Sequence, residues 1–309
     1  MKILLLDKNH PLITGQLSAK GFLFEEDFTS SYEEVLKKIA NYDGIIIRSR
    51  IPLDKNFLEH AKNLKFIARV GAGMENIDVD FAKKSGIALI SSPEGNRDAV
   101  AEQVLGMLLI LMNRLFISSL EVKNGIWKRE ENRGDELLGK TVGLIGYGNM
   151  GKAVAKRFSG FGCKVIFYDI LPKIGDEFAT QVSLETLKKE AEILSIHLPI
   201  TKETHYLIDE KFISEMAKEF YFVNTARGKN VKTTDLVSAI KSGKVKGAAL
   251  DVLEYEKASF ENLDAVNEDL QFLLRSEKAI VTPHIAGWTI QSKEKLAQVI
   301  VDKILAQFS

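Results

Sequence analysis

The stretch Thr141-Val-Gly-Leu-Ile-Gly-Tyr-Gly-Asn-Met-Gly151 leaves few folds open to this chain. An apolar, partly β-branched run ends at Gly146, and Gly146, Gly148 and Gly151 stand in G-x-G-x-x-G spacing. A helix-like segment, Lys152 to Phe158, leads to a second apolar run, Lys164 to Tyr168, which ends in Asp169. In such a unit the first glycine permits a tight turn. The second lets backbone approach a pyrophosphate, and the third lets helix and strand pack closely. The helix N-terminus then presents N–H groups and a positive dipole end to the phosphates. A carboxylate at Asp169 can accept both hydroxyls of an adenosine ribose and repel a 2′-phosphate, which favours NAD over NADP. Lys173 nearby would soften that preference. The competing reading is a glycine-rich turn with no ligand. The order of strand, turn, helix, strand and acid argues against it.

The same alternation runs along the whole chain. Lys2–Leu6, Gly21–Phe24, Gly44–Ile47, Leu64–Arg69 and Ile87–Ile90 read as short buried strands, separated by helical patterns such as Tyr32–Ala40 and Val79–Lys84. A long helix is expected over Asp98–Leu120. A second series of strands follows: Val142–Ile145, Val165–Tyr168, Ile193–His197, Tyr221–Asn224, Gly247–Leu250 and Ala279–Thr282. A last helix is expected over Ile290–Ala306. The fold class is therefore α/β, with two doubly wound parallel-sheet domains. Gly71-Ala-Gly73 forms a second glycine cluster, but its third position is Asn76 and no acid ends a following strand at the right distance. It reads as a ligand loop at a strand end, not a second dinucleotide site.

Composition removes several functions. The 309 residues suffice for two domains. The 42 basic and 42 acidic residues cancel, so no global field draws nucleic acid or an anionic membrane. The longest apolar run, Val104–Met112, falls short of the about 20 residues that span a bilayer. Ile3–Leu6 ends at Asp7-Lys8, too soon for a signal peptide. The single cysteine, Cys163, excludes an internal disulfide and reads as an inert core thiol, which fits a reducing cytoplasm. No Cys/His cluster has ligand spacing, so no metal is expected.

Three further segments carry reactive groups. In Val223-Asn-Thr-Ala-Arg-Gly228, Arg227 follows a buried strand, and its planar guanidinium suits a carboxylate. An isolated arginine would read as a surface ion pair. In Ala249-Leu-Asp-Val-Leu-Glu-Tyr-Glu256, the acids Asp251, Glu254 and Glu256 lie at or just after a strand end. In Val281-Thr-Pro-His-Ile-Ala-Gly287, His284 is held by a preceding proline. His10, His60, His197 and His205 read as structural.

Together these segments resemble the D-isomer-specific 2-hydroxyacid dehydrogenases over nearly the whole chain, in the order Gly-rich turn, Arg, Glu, His. The resemblance implies a Rossmann NAD-binding domain, 95–282, inserted into a flavodoxin-like substrate domain, 1–94 and 283–309. It places the active site in the cleft, with crossings near Pro93 and Pro283 as hinges for a closure that excludes water. It implies that Arg227 holds the substrate carboxylate and that His284 gives and takes the proton. Glu256, spaced from Asp251 as in the family, would pair with His284. Glu254 has the wrong spacing and reads as solvated or structural. The family usually has proline after the glutamate, where this chain has Lys257. Beside Gly146, Gly148 and Gly151, the resemblance gives Asn149 and Met150 backbone contacts to the pyrophosphate. Ser92, Leu198, Thr225 and Ala226 would border the cofactor, and Asp251 would meet the nicotinamide amide. Val70, Gly71 and Ala72 would lend backbone N–H groups to the substrate carboxylate, with Arg48 and Asn96 in segments that face the cleft.

The implied chemistry suits these residue types. Reduction of a 2-oxo acid needs a hydride on the carbonyl carbon and a proton on its oxygen. Protonated His284 would deliver that proton, and neutral His284 would remove it in oxidation. The Glu256 carboxylate would stabilise the imidazolium. Arg227 would neutralise the carboxylate and polarise the carbonyl, while NAD supplies the hydride.

Arg69-Val-Gly-Ala-Gly-Met-Glu-Asn-Ile-Asp and Pro93-Glu-Gly-Asn resemble the 3-phosphoglycerate dehydrogenase branch. That implies oxidation of 3-phosphoglycerate to 3-phosphohydroxypyruvate, at the start of serine synthesis. The substrate needs a second anion site, for which Arg48, Arg69 and Arg133 are candidates. With the chain ending at Ser309, no serine-binding regulatory domain and no feedback by serine are expected. Two alternatives stay open. One is a glyoxylate or hydroxypyruvate reductase with the same machinery and no phosphate site. The other is an NAD-sensing binding protein, like the transcriptional corepressors built on this scaffold.

Two expectations concern surfaces. The Asp98–Leu120 helix is apolar nearly all round, with Val100, Val104, Leu105, Met107, Leu108, Leu109, Ile110, Leu111, Met112, Leu115 and Phe116, so it must be covered on several sides. In the family it crosses into a twofold partner, which implies a homodimer with Trp127 near the interface. Burial inside one subunit is the alternative. Between Glu256 and His284, Phe260, Leu263, Val266, Leu270, Leu273 and Leu274 recur with helical spacing. A short helix packed on the NAD domain beside the cleft is expected there, or else a surface insertion.

Overall fold

Apolar runs buried on both faces can only be central strands of a sheet covered by helices. The computed structural model describes residues 1–256 and 267–308, and it gathers these runs into two all-parallel sheets, each in its own unit.

The first unit comprises Met1–Arg97 and Trp288–Ser309. Its elements are β1 (Lys2–Leu5), α1 (Leu12–Ser18), β2 (Leu23–Glu26), α2 (Tyr32–Lys38), β3 (Gly44–Ile47), α3 (Lys55–His60), β4 (Phe66–Arg69), α4 (Val79–Lys84) and β5 (Ala88–Ser91), with the C-terminal helix Ile290–Phe308. Side chains start three of these helices: Ser31, Asp54 and Asp78 accept the N–H groups of Glu34, Phe57 and Phe81. The strand order is β2-β1-β3-β4-β5. The winding therefore reverses between β1 and β3, as in flavodoxin-like sheets. Ile3, Leu5, Ile46, Phe66 and Ala68 pack against Leu296, Ala297, Ile300 and Ile304 of the C-terminal helix.

The second unit is Asp98–Gly287, and the chain enters it within α5 (Pro93–Met112). Proline is favoured at a first helical position, so this helix starts five residues before the unit does. The remaining elements are α6 (Leu115–Lys123), β6 (Thr141–Ile145), α7 (Asn149–Phe158), β7 (Lys164–Tyr168), β8 (Thr180–Gln181), α8 (Leu184–Glu190), β9 (Ile193–Ile196), α9 (Glu210–Glu215), β10 (Phe220–Asn224), α10 (Thr233–Ser242), β11 (Val245–Leu250), α11 (Glu268–Arg275) and β12 (Ala279–Val281). The order is β12-β11-β10-β9-β6-β7-β8. Here the winding reverses between β6 and β9, which opens the crevice where doubly wound sheets take ligands. The two-residue β8 is too short to show as a periodic pattern.

The helix expected over Asp98–Leu120 is in fact two. The chain breaks after Met112 and bends by 59° into α6, with Arg114 in left-handed backbone at φ 51°. The cause lies in a later strap. Asp135 donates its N–H to the Met112 carbonyl (3.0 Å), which removes that acceptor from the helix. Gly134 sits so close to Asn113 that a Cβ there would lie 2.7 Å from its Cα. α5 is covered by its own unit, with Val100, Val104, Met107, Leu108, Leu111 and Met112 in one core with Leu144, Val154 and Phe158. The exposed apolar surface is Ile110 near the end of α5, Leu115, Phe116, Leu120 and Val122 of α6, and Ile126 and Trp127 after it. Among the described residues, no single helix is long and apolar enough to cross a membrane.

Of the apolar series expected between Glu256 and His284, Phe260, Leu263 and Val266 lie outside the described residues. The rest forms α11, started by Asn267, whose side chain accepts the Leu270 N–H. Leu270 and Leu273 are buried in the second unit's core, and Leu274 is exposed.

Candidate active site

In the second unit the carboxyl ends of neighbouring strands carry, in spatial order, Asp169 (β7), Gly146 (β6), Leu198 (β9), Thr225–Arg227 (β10), Asp251–Glu256 (β11) and His284 (β12). From β7 to β10 is three inter-strand steps, about 14 Å. Residues scattered over more than a hundred positions of sequence thus share one edge.

The glycine turn is built for close approach. Gly146 has φ 93°, and a Cβ on it would lie 2.5 Å from the His197 carbonyl oxygen. A Cβ on Gly151 would lie 2.2 Å from the Gly146 oxygen, so α7 meets β6 only through glycine. At Gly148 a Cβ would meet nothing within 4 Å. That open space lies at the N-terminus of α7, where Gly148 offers no side chain to the first-turn N–H groups of Asn149, Met150 and Gly151. Asp169 accepts from Tyr147 N (2.7 Å) and Leu171 N (2.9 Å). Further along the edge, Thr225 Oγ1 is buried without a hydrogen-bond partner among the described residues, beside the buried Ala226. Leu198 reaches to 3.1 Å of the position a Gly146 Cβ would take. An anion cradle free of side chains, a carboxylate at the next strand end and a partnerless buried hydroxyl suit a dinucleotide.

Arg227 is presented by a turn that Asn224 ties. The fully buried Asn224 side chain accepts from Ala226 N (2.9 Å) and donates to the Arg227 carbonyl (3.0 Å). Gly228 then presses on the next strand end: a Cβ there would lie 2.0 Å from the Leu253 carbonyl carbon. This contact brings the arginine turn against the segment that carries Glu256.

His284 and Glu256 form a pair, with Nδ1 2.7 Å from Oε2. The glutamate's other oxygen accepts from Leu253 N, which fixes the carboxylate. Glu254 is committed elsewhere. It accepts from Thr233 N (2.6 Å) at the start of α10 and from the Tyr206 hydroxyl (3.3 Å). His284 itself has φ 55°, a left-handed conformation uncommon for a residue with a Cβ. Asp251 holds it there. The Asp251 carbonyl accepts from His284 N (2.8 Å), and its carboxylate accepts from Ile285 N, Ala286 N and the Thr282 hydroxyl. Gln103 adds a longer bond of 3.4 Å. Burial pushes the Asp251 carboxyl above the ordinary aspartate value, while these bonds favour its charged form. The resemblance implied that Asp251 meets the nicotinamide amide; among the described residues its carboxylate serves chiefly to shape the histidine loop. Burial pushes His197 down to about 4, so it is neutral near pH 7; its Nε2 lies 3.0 Å from Ser195 Oγ.

In the first unit the loop after β4 is partly committed. Val70 N donates to the Ile47 carbonyl and Gly71 N to Ser92 Oγ (3.1 Å), while Ser92 N donates back to the Gly71 carbonyl. Val70 and Gly71 thus spend their N–H groups inside the unit, and the fully buried Ser92 pins the loop. No such bond engages Ala72 among those described. Arg48 lies over the Trp288 ring (4.2 Å), and Arg69 donates to the Arg48 carbonyl (3.1 Å) with its guanidinium folded over Gly71. Asn96 keeps a buried Oδ1 with no hydrogen-bond partner among the described residues. Arg133, the third anion-site candidate, belongs to the second unit and forms an exposed ion pair with Glu130. Sequence reasoning missed the roles of Asn224, Thr282 and Gln103. Only the first left a local trace, an asparagine ending a strand two residues before a turn.

A dinucleotide cradle at one end of a strand edge, with an arginine and a His–Glu pair at the other, defines a nicotinamide-dependent oxidoreductase of the α/β class. The NAD-binding-domain model of the D-isomer specific 2-hydroxyacid dehydrogenases matches residues 105–286. Hydroxypyruvate reductase of Thermotoga maritima is 36% identical over 89% of this chain and 88% of its own length. D-3-phosphoglycerate dehydrogenase of Archaeoglobus fulgidus is 34% identical over 99% of this chain, which spans 57% of that protein. The NAD-complexed D-isomer specific 2-hydroxyacid dehydrogenase of Lactobacillus delbrueckii ssp. bulgaricus superposes with a TM-score of 0.81 at 26% identity, covering 99% of this chain and 97% of that one. The chain belongs to the D-isomer specific 2-hydroxyacid dehydrogenase family and is an NAD-dependent oxidoreductase.

The His–Glu geometry gives a direct test. Glu256→Gln keeps the shape but removes the charge opposite Nδ1. Turnover should fall by roughly one to two orders of magnitude, part of the 10²–10⁴-fold that acid–base catalysis supplies. NADH affinity, measured by fluorescence titration, should hold. Unchanged turnover would take Glu256 out of the mechanism.

Proposed function

We propose that this dehydrogenase interconverts 3-phosphoglycerate and 3-phosphohydroxypyruvate with NAD, at the entry to serine synthesis. The supporting observation is the pair Arg48 and Arg69, on the neighbouring strand ends of β3 and β4 and next to the Val70–Gly73 loop. A substrate with a carboxylate and a phosphate needs two cationic anchors. The Arg48–Arg69 pair, two guanidiniums on neighbouring strand ends, would serve one of these anions. His284, with Nδ1 given to Glu256, exchanges the proton with the substrate oxygen through Nε2. Arg227 neutralises the carboxylate and draws density from the carbonyl. Bound NAD supplies or accepts the hydride.

A second reading is hydroxypyruvate or glyoxylate reduction. It is supported by similarity to the Thermotoga hydroxypyruvate reductase, which matches this chain at 36% identity. A panel of 3-phosphoglycerate, hydroxypyruvate, glyoxylate and D-lactate separates the two. On the first reading Arg48→Ala raises KM for 3-phosphoglycerate at least about tenfold, the loss of one charge-assisted contact, and moves KM for hydroxypyruvate little. Turnover of hydroxypyruvate without turnover of 3-phosphoglycerate would select the second.

We also infer a homodimer through α6. Leu115, Phe116, Leu120 and Val122 are about half exposed or more, and Trp127 is 83% exposed. Such a contiguous apolar patch marks an interaction surface. Sedimentation at micromolar concentration should show twice the 34.5 kDa chain mass. A monomer there would overturn the dimer.

A further inference from the structure

Tyr147 stands between the first two glycines of the turn, yet its side chain leaves the turn altogether. It is fully buried, and its ring stacks on Phe167 of β7 with centroids 3.7 Å apart and planes 10° apart. Its two donors serve two acids of one segment. The N–H bonds Asp169 Oδ2 (2.7 Å) and the hydroxyl bonds Asp176 Oδ1 (2.6 Å). A single residue therefore fastens both ends of the stretch Asp169–Asp176 to the glycine turn. Gln181 adds a third tie, donating to the Leu171 carbonyl (2.8 Å) and accepting from Ile174 N (3.3 Å). Burial and Asp176 both push the phenol above its ordinary value, so it remains a donor.

The fastened stretch holds the acid at the adenosine-ribose position and one cation, Lys173, at φ 60°. A 2′-phosphate would need the acid moved aside or a cation brought in. Both changes require this stretch to shift. Tied at both ends, its backbone is held against either shift.

We propose that Tyr147 is a positioning residue that sets the preference for NAD over NADP, by latching the Asp169–Asp176 loop through its hydroxyl. The inference rests on NAD occupying the cradle at the N-terminus of α7. Phenylalanine would keep the stack on Phe167 and lose only the latch.

The test is the ratio of kcat/KM for NAD to that for NADP, measured on the full chain. Tyr147→Phe should lower the ratio about tenfold, the share of one buried hydrogen bond. Asp176→Ala, on the loop side of the same bond, should lower it equally, and the double variant no further. Lys173→Ala in the Tyr147→Phe background should remove the gained NADP activity. A ratio within twofold of the unmodified enzyme in both single variants would overturn the proposal, whatever their melting temperatures. Additive losses in the double variant would overturn it too. Failure of the unmodified enzyme to bind NADH in a fluorescence titration would instead bring down the cofactor seat, and the latch with it.

Discussion

His284→Asn should lower turnover by about 10²–10⁴-fold while leaving NADH affinity nearly intact. Asparagine is the choice because position 284 is left-handed, at φ 55°, and asparagine tolerates that conformation better than most residues with a Cβ. The variant therefore keeps the bonds from Asp251 to the backbone of residues 284–286 and loses only the imidazole. Steady-state kcat, with NADH fluorescence alongside, reads the effect. Near-normal turnover in a folded variant would remove His284 from proton transfer.

Arg227→Ala should cost about three orders of magnitude in kcat/KM, because it loses charge-assisted bonds and the polarisation of the carbonyl together. NADH affinity should stay within a few-fold, since the glycine turn and Asp169 lie two and three strands away. Arg227→Lys should recover only part of the loss, because an ammonium lacks the planar fork. Initial rates over a range of 2-oxo acid concentrations measure both variants. If lysine restored full activity, a bare positive charge would suffice and the bidentate contact would be wrong.

The glycine spacing, the acid after β7 and the strand ends bearing Arg227, Glu256 and His284 were legible because each depends on local pattern. A tight turn needs glycine, and a buried strand needs an apolar run. What stayed hidden depends on contacts between distant residues. The break at Arg114 is imposed by Gly134 and Asp135, some twenty residues later. Asp251 reads from sequence as one acid among three, with a nicotinamide contact implied by the resemblance. Its part in holding the histidine loop emerges only when β11 and β12 pair and bring Ile285 and Ala286 to it. Ser92 likewise lies far in sequence from the Gly71 amide it accepts. Glu254 and Glu256 share a residue type and a segment, and only the start of α10 claims the first of them.

The left-handed backbone at His284 bears on how such an enzyme can change. Here the main chain, clasped by one buried carboxylate, sets where the imidazole leaves the loop, and Glu256 holds its Nδ1. Positions outside this clasp and the Glu256 pair can then change with the substrate while the proton keeps its path. The same clasp sets the limit on such change: Asp251 and Thr282 shape the histidine loop, and they are the positions a redesign must leave alone.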